Sequence, residues 1–414
     1  MQEKLSEFFK KFYLSIILLA VSFPHNVFCD DLPPALKVNI NSKLVVPVLV
    51  LKLSKKGNTT TEGENTFVLD ETDESTDIFS EPLWIDGQMN PKYKEWYSSK
   101  LHNLIQYINL YAGRNTFLIM PTTTTDTLAP GTDRLRVGLN FSSVFFREME
   151  GVLNAQFDYE VFEGYAVFNY GISDGVEVGL YARGFHYSAG RMDATKNKFE
   201  ETIGLSAGGR GNFQNDQYAQ SFKVNGEEVF SGKKNEVGFG DFITSMKFRF
   251  LEETPTVPSM ALMTAVKLPT GDQDNGFGSG TTDTGASIIL TKHFTKRLRT
   301  HLNLGAAKPG GRGNWPSTST VYSFIPAVEY AFSPEWQAAF QINLSTSVFR
   351  KIDFQGVNGD SFNVGFALTR NLESGGQIHL YFMDELDNEG DTDYVFGTAF
   401  DLMPLFTKAE DEEE

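Results

Sequence analysis

The sequence predicts an all-β protein: a transmembrane up-and-down antiparallel β-barrel of about 12 strands, with a small N-terminal extension that includes one amphipathic helix. Three observations predict it. Apolar and polar residues alternate with period two in twelve successive runs from Gly131 onward. The connections between those runs alternate short and long. Beyond the first 29 residues no apolar stretch approaches the length of a membrane helix, the nearest being Leu44 to Leu53, broken by Pro47. A chain that embeds apolar surface without such a helix has to cross as a closed barrel.

The N-terminus reads as an export signal. Lys4, Lys10 and Lys11 form a basic start, Phe12 to Phe23 a short apolar core, and Val27 to Cys29 a cleavage site ahead of Asp30 and Asp31. The apolar core is short for a retained membrane anchor, and the bulky Phe28 disfavours lipid attachment at Cys29. Removing residues 1–29 takes away three lysines and two glutamates, leaving 33 basic against 51 acidic residues, a net charge of −18. It also removes the only cysteine, which excludes disulfides and cysteine-ligated metals within one mature chain. The acidic balance excludes general nucleic-acid binding. High Gly (37) and Phe (36) contents suit sheet surfaces and tight turns.

Residues 30–112 form the extension. It holds a short β-like run at 44–53, an acidic Ser/Thr-rich loop from Asn58 to Ser80, and the segment KYKEWYSSKLHNLIQYINLY. Tyr97, Leu101, Leu104, Ile105 and Ile108 recur there at helical spacing. The extension reads either as a small soluble subdomain or as a periplasmic lid or plug. Residues 113–406 are assigned to the barrel and 407–414 to an acidic tail.

The strand runs fall at about 134–146, 155–170, 175–186, 236–251, 258–269, 284–294, 298–308, 319–332, 335–348, 360–370, 376–386 and 392–403. In WQAAFQINLS, for example, Trp336, Ala338, Phe340, Ile342 and Leu344 share one face, and Gln337, Ala339, Gln341 and Asn343 the other. Short connections such as GISD, TKR and SP interleave with longer ones at 147–154, 187–235, 270–283, 309–318 and 349–359. Membrane barrels sort their loops in this way, with short periplasmic turns and longer outer loops. A soluble sandwich has no reason to do so, and would carry more charge on its wet face. Phe332, Trp336, Tyr394 and Leu402 sit at strand ends, where interfacial girdles belong.

The phase of the strands places Arg136, Glu177, Arg183, Asp241, Lys247, Arg249, Lys267, Glu329 and Gln341 on the lumen face. Charges of both signs there either line a channel or pair to fill it. The stretch VKLPTGDQDNGFGSG, Val266 to Gly280, ends a strand at Pro269 and continues as an outer loop of turns. It lacks the spacing of a phosphate loop or a helix-flanked calcium loop. A loose cation site among Asp272, Asp274 and Asp283 stays open. His102, His186, His293, His301 and His379 form no metal motif. His301 and His379 fall on lumen faces, and no G-x-S-x-G accompanies them.

GRNTF at Gly113, LAPGTDRLRVGLNFSSVF, NEVGFGDFITSMKFRF and VKLPTGD…GSGTTDTG resemble the bacterial family known as domain of unknown function 3187. The resemblance covers about residues 113–403. It implies an exported outer-membrane barrel and brings no functional residues with it.

The expected function is an outer-membrane channel or transporter for small or amphipathic solutes in a Gram-negative bacterium, with no enzymatic activity and no cofactor. The alternative is a structural or adhesive barrel displaying long loops; an outer-membrane lipid hydrolase is a third reading. Expected partners are outer-membrane lipid and lipopolysaccharide, the barrel assembly machinery during biogenesis, and a small-molecule solute, with no nucleic acid.

Overall fold

The computed structural model describes residues 78–98, 103–106, 109–111, 113–150, 153–190, 217–224, 226–311, 315, 317–352, 357–372, 375–386 and 394–402. The chain divides into two compact units, Met1–Glu74 and Ser75–Glu414. The first unit lies outside the described residues, as do the export signal, the strand-like run at 44–53 and the acidic tail.

The described part opens with a 3₁₀ turn, Ile78–Ser80, and a two-stranded ribbon, β1 (Trp84–Ile85) and β2 (Gln88–Met89). The ribbon turns on Asp86 and Gly87, both at positive φ, the backbone that a two-residue Asp-Gly hairpin demands. Helix α1 (Pro91–Ser98) follows. Pro91 opens it, and the Asn90 side chain caps it by accepting the Lys92 N–H at 3.0 Å. The helical spacing predicted a helix running on through Ile108. It ends instead at Ser98, and the described residues of 103–111 have no helical structure.

Twelve strands close the barrel. They are β3 (Asp133–Glu150), β4 (Leu153–Ser173), β5 (Val176–Ser188), β9 (Phe242–Leu251), β10 (Ser259–Leu268), β11 (Asp283–His293), β12 (Leu298–Lys308), β13 (Val321–Ala331), β14 (Trp336–Ser345), β15 (Ser361–Asn371), β16 (Gln377–Glu385) and β17 (Tyr394–Leu402). Each pairs antiparallel with the next, and β17 pairs with β3, Thr398 opposite Leu139, so no barrel edge is left open. Each of the twelve sequence runs carries one barrel strand.

The alternation decides which face meets which environment. On β13, Tyr322, Phe324, Val328 and Tyr330 are exposed, while Val321, Ser323, Ile325, Ala327, Glu329 and Ala331 are buried. Exposed apolar side chains continue around the outside, among them Leu139, Met246, Leu262, Ile288, Phe340, Leu368 and Leu380. Phe294, Tyr330, Phe332 and Trp336 ring the short-turn end; Phe239 and Tyr322 stand at the long-loop end. Such a belt with aromatic rims fits lipid and does not fit water. Among the described residues no helix is long and apolar enough to cross a membrane.

Two sequence runs are more elaborate than simple alternation foresees. The run 236–251 breaks into β8 (Val237–Phe239) and β9, because Gly240 turns to donate to the Arg183 carbonyl and Asp241 folds inward. The long connection 187–235 contains a hairpin, β6 (Ala219–Val224) and β7 (Glu227–Ser231). Strand β6 pairs with the outer end of β4, extending it beyond the barrel rim. Lys196 and Lys198 of that connection lie outside the described residues.

Candidate functional site in the lumen

The lumen is filled by the chain itself. The described residues of 103–111 lead from the short-turn end, beside Gln337 and Gln341 of β14, to the long-loop end, where Tyr159 Oη donates to the Leu110 carbonyl. The chain reverses at 111–117. Gly113 takes φ +84°, and the amides of Arg114 and Asn115 donate to the Tyr111 carbonyl. It then descends through Met120 and Thr125 to Leu128, and a second turn at Gly131 (φ +78°) feeds β3. GRNTF and LAPGT are therefore the two turns of an internal plug.

Among the described residues the plug has no strand partner. Its backbone is satisfied by side chains of the wall. Ile105 N–H donates to Gln341 Oε1 (3.2 Å), and Gln341 Nε2 donates back to the Ile105 carbonyl (3.0 Å). Asn103 N–H donates to Glu329 (2.8 Å), Leu118 N–H to Asp283 (2.9 Å), Thr125 N–H to Thr291 (3.2 Å) and Leu128 N–H to Glu177 (3.0 Å). Asn303 embraces Thr123, accepting its N–H and donating to its carbonyl. Buried backbone groups have to be paired, and these polar wall residues do the pairing.

Shape complements the hydrogen bonds. A Cβ on Gly285 would sit 2.5 Å from Met120 Sδ, one on Gly305 3.1 Å from Met120 Cβ, and one on Gly365 2.6 Å from Ile105 Cδ1. Glycines on the wall are thus sockets for two plug side chains.

Both ends are covered as well. At the short-turn end, Tyr97 of α1 packs on His293 (4.6 Å) and under the Arg299 guanidinium (4.2 Å). Burial pushes its phenol above the usual range, against the opposing pull of Arg299. Lys296 in the TKR turn donates to the carbonyls of Phe79 and Ser80. At the long-loop end, Phe117 at the plug tip meets Trp315 (4.9 Å) and Phe349 (5.8 Å), and Phe222 and Phe230 of the β6–β7 hairpin join them.

Each of the nine residues read as lumen-facing touches a partner. Arg136 forks onto Asp401 (2.6 and 2.9 Å). Glu177 faces Lys247 (3.3 Å) as well as the plug. Arg183 pairs with Glu163 and donates to the plug carbonyl of Asn115 (3.0 Å). Lys247 donates to Thr123 of the plug (3.2 Å). Arg249 reaches Asp174 and Glu252 at the short-turn rim, away from the plug. Glu329 holds Arg299 and the Asn103 amide; Gln341 holds Ile105. Lys267 and Asp241 pair at 2.5 Å and fasten the VKLPTGDQDNGFGSG loop: Lys267 also donates to Ser279 Oγ and the Thr281 carbonyl, and Asp241 accepts from Gly271 and Ser279. That loop is therefore anchored to the rim, with Phe277 buried beneath it.

The loose cation site among Asp272, Asp274 and Asp283 does not form. Asp283 is fully buried and accepts from Leu118, Thr281 and Gly310, whereas Asp272 caps its own turn through Asp274 and Asn275. Asp126 and Arg299 escaped the sequence reading. Asp126 lies in the plug 3.0 Å from Arg299, whose inward phase follows from His301 and Asn303 two and four residues on.

The plug does not fill the lumen evenly. It is bonded to the wall more often along β10–β14 than along β4, β5 and β9, which hold it through Tyr159, Glu177, Arg183 and Lys247, and two cavities lie between it and those last three strands. The larger, about 50 Å³, is lined by Thr122, Arg136, Glu177 and Lys247 among others; the smaller, about 20 Å³, by Asn109, Asn115, Phe117 and Arg183. Gln106, Pro121, Tyr181 and Ile243 line both, so the two lie end to end along one seam.

Residues 103–397 match the family described as "Protein of unknown function (DUF3187)". The chain belongs to that family. The DUF3187 match begins at residue 103, where the chain enters the lumen, so the plug and the barrel fall within one family unit. No curated protein matches the sequence. Among solved structures the chain is similar to the COG4313 outer membrane channel from Pseudomonas putida F1, with 11% identity over 66% of this chain and 96% of that one and a TM-score of 0.43. It is also similar to the NanC porin (10% identity, 66% and 100% coverage, TM-score 0.37) and to the P. putida toluene transporter TodX (9% identity, 66% and 89% coverage, TM-score 0.30).

Proposed function

We propose that this DUF3187 protein is an outer-membrane channel for small solutes, exported through a cleaved signal and closed in this conformation by its own plug. The observation that supports this reading is the asymmetry of the lumen. The side facing β10–β14 carries more of the plug's bonds to the wall, and the side facing β4, β5 and β9, held at fewer points, leaves a seam lined by polar and charged groups running past Tyr181. A barrel filled only for strength would gain from packing that side as densely as the other. In this reading the short turns and α1 face the periplasm and the β6–β7 hairpin faces outward, with lipid and lipopolysaccharide against the belt. The barrel assembly machinery inserts the chain, and nucleic acid is no partner.

The lipid-hydrolase reading loses support from the two histidines. His301 lies between Thr291 (2.9 Å) and Glu329 (3.2 Å), and His379 between Thr369 (2.8 Å) and Asp401 (3.0 Å); all face the lumen, away from lipid. The test is conductance of the refolded full chain in planar bilayers. Small unitary steps are expected, and Tyr181→Ala, which joins the two cavities more widely, should enlarge them. Absence of steps in both proteins would overturn the channel reading in favour of a structural or adhesive barrel.

A further inference from the structure

We infer that the seam between plug and wall holds a binding site for a small monovalent inorganic anion, of the size of chloride or bromide, centred on Arg183 and Tyr181. The inference names the solute class of the channel read above and rests on that reading only for its physiological meaning.

The argument starts from unpaired buried donors. Arg183 is 8% exposed; its Nε is taken by Glu163 and its Nη1 by the Asn115 carbonyl, while Nη2 has no protein partner. A guanidinium cannot shed its protons, so two N–H groups of Nη2 remain to be satisfied at the wall of the smaller cavity. Thr122 Oγ1, fully buried on the wall of the larger cavity, also has no partner. Buried polar groups left in this state call for a ligand.

Charge then selects among ligands. The charged residues lining the two cavities are Arg136, Lys247 and Arg183 against Glu177 alone. Glu163 and Asp401, which neutralise two of the cations, line neither cavity. The seam therefore turns a cationic surface to its contents, in a setting where low dielectric strengthens each interaction. Size narrows the choice. Cavities of about 50 and 20 Å³ hold a few water-sized particles, each needing about 10–15 Å³. The smaller cavity, which Arg183 lines, takes about one or two such particles: a halide fits there, and a phosphate ester or an organic acid does not. Asn115 Oδ1 is an unpaired acceptor on the smaller cavity, and one water beside the anion serves it.

Crystals of the full chain soaked in sodium bromide test the site through anomalous scattering. A bromide peak within hydrogen-bond reach of Arg183 Nη2 is expected. It should vanish in Arg183→Lys, which keeps the charge beside Glu163 but lacks the second donor arm, with the barrel otherwise superimposable. Thr122→Val, a milder change, should reduce peak height in the larger cavity and spare the fold. Surface bromides without a seam peak would overturn the site, as would a peak unchanged in Arg183→Lys. The two readings fail separately. A seam peak in a non-conducting protein keeps the site and removes the channel, whereas conductance without a peak keeps the channel and removes the site.

Discussion

Neighbouring residues on β14 offer a severe test of the plugged lumen. In an empty, wet lumen an inward arginine would be harmless and an outward one costly. The structure makes a different forecast for Phe340→Arg and Gln341→Arg. Phe340 faces lipid near mid-strand, opposite and 4.9 Å from the Phe366 ring. A basic residue on that face costs about 2–4 kcal/mol near the midplane, and the lost ring pair adds about 0.5–1.5 kcal/mol. Gln341 has no exposed surface, and its amide binds both backbone groups of Ile105 and, at 2.7 Å, Asn343. Arginine there has no acceptor for the Ile105 N–H, leaving a buried donor orphaned at about 1–3 kcal/mol. Its charge adds to a region where Glu329 already serves Arg299, and an uncompensated buried charge costs about 3–5 kcal/mol. Gln341→Arg should therefore destabilise the protein at least as much as Phe340→Arg. Urea unfolding in lipid vesicles measures both. A second readout separates the causes: with Ile105→Cys in a Cys29→Ser background, a membrane-impermeant maleimide should label the Gln341→Arg protein faster than the Phe340→Arg protein. If Gln341→Arg falls within about 1 kcal/mol of the parent and leaves Ile105→Cys unlabelled, the plug does not occupy that level of the barrel.

Further expectations concern the sockets, the latch and the orientation. Gly285→Ala should cost about 1–3 kcal/mol by overpacking against Met120 Sδ, and adding Met120→Ala should recover part of that loss in a double-mutant cycle; additive losses would mean the two do not touch. Glu329→Gln should cost about 3–5 kcal/mol in urea unfolding, because Arg299 keeps only Asp126 as an anionic partner; a loss below about 1 kcal/mol would show that the network does not hold the plug. Trypsin added to intact cells should cut at the exposed Lys233 or Lys234, and at Lys296, engaged with Phe79 and Ser80, only after the outer membrane is opened; the reverse order would invert the topology.

The strands were legible because a membrane wall imposes period two: one face meets lipid and the other does not, and Phe340 and Gln341 reveal it within two positions. A plug was among the readings of the extension, but its course was illegible for the complementary reason. Inside a closed barrel every direction is buried, so Leu104 and Ile105 are both buried although they are adjacent. No alternation survives, and Leu104 and Ile105 continue the spacing of Tyr97 without continuing its helix. The Thr-rich stretch PTTTTDT carries no periodic signal either, because its backbone pairs with the side chains of Asn303 and Thr291 rather than with a strand ladder. Strand phase carries no information on how the charges pair. Arg136 and Asp401 stand 265 residues apart and meet only because β17 closes on β3. Asp241 and Lys267 meet only because a break at Gly240 turns the chain inward.

This division of labour bears on how such a plugged barrel would open. The barrel strands obtain their hydrogen bonds from one another, and the plug obtains its bonds from wall side chains. The wall charges likewise pair within the wall: Arg136 with Asp401, Arg183 with Glu163, Lys247 with Glu177, Lys267 with Asp241 and Arg299 with Glu329. Withdrawal of the plug would thus open no strand edge and strand none of these five charge pairs. The groups it would uncover, such as Gln341, Asn303, Thr291 and the second oxygens of Glu177 and Asp283, are ones that water can serve at small cost. The aromatic contacts of Phe117 with Trp315 and Phe349, and the seating of Met120 and Ile105 in their glycine sockets, are what water cannot replace. Apolar packing at the tip and sockets is therefore the barrier to opening, and weakening it should release the plug without dissolving the wall.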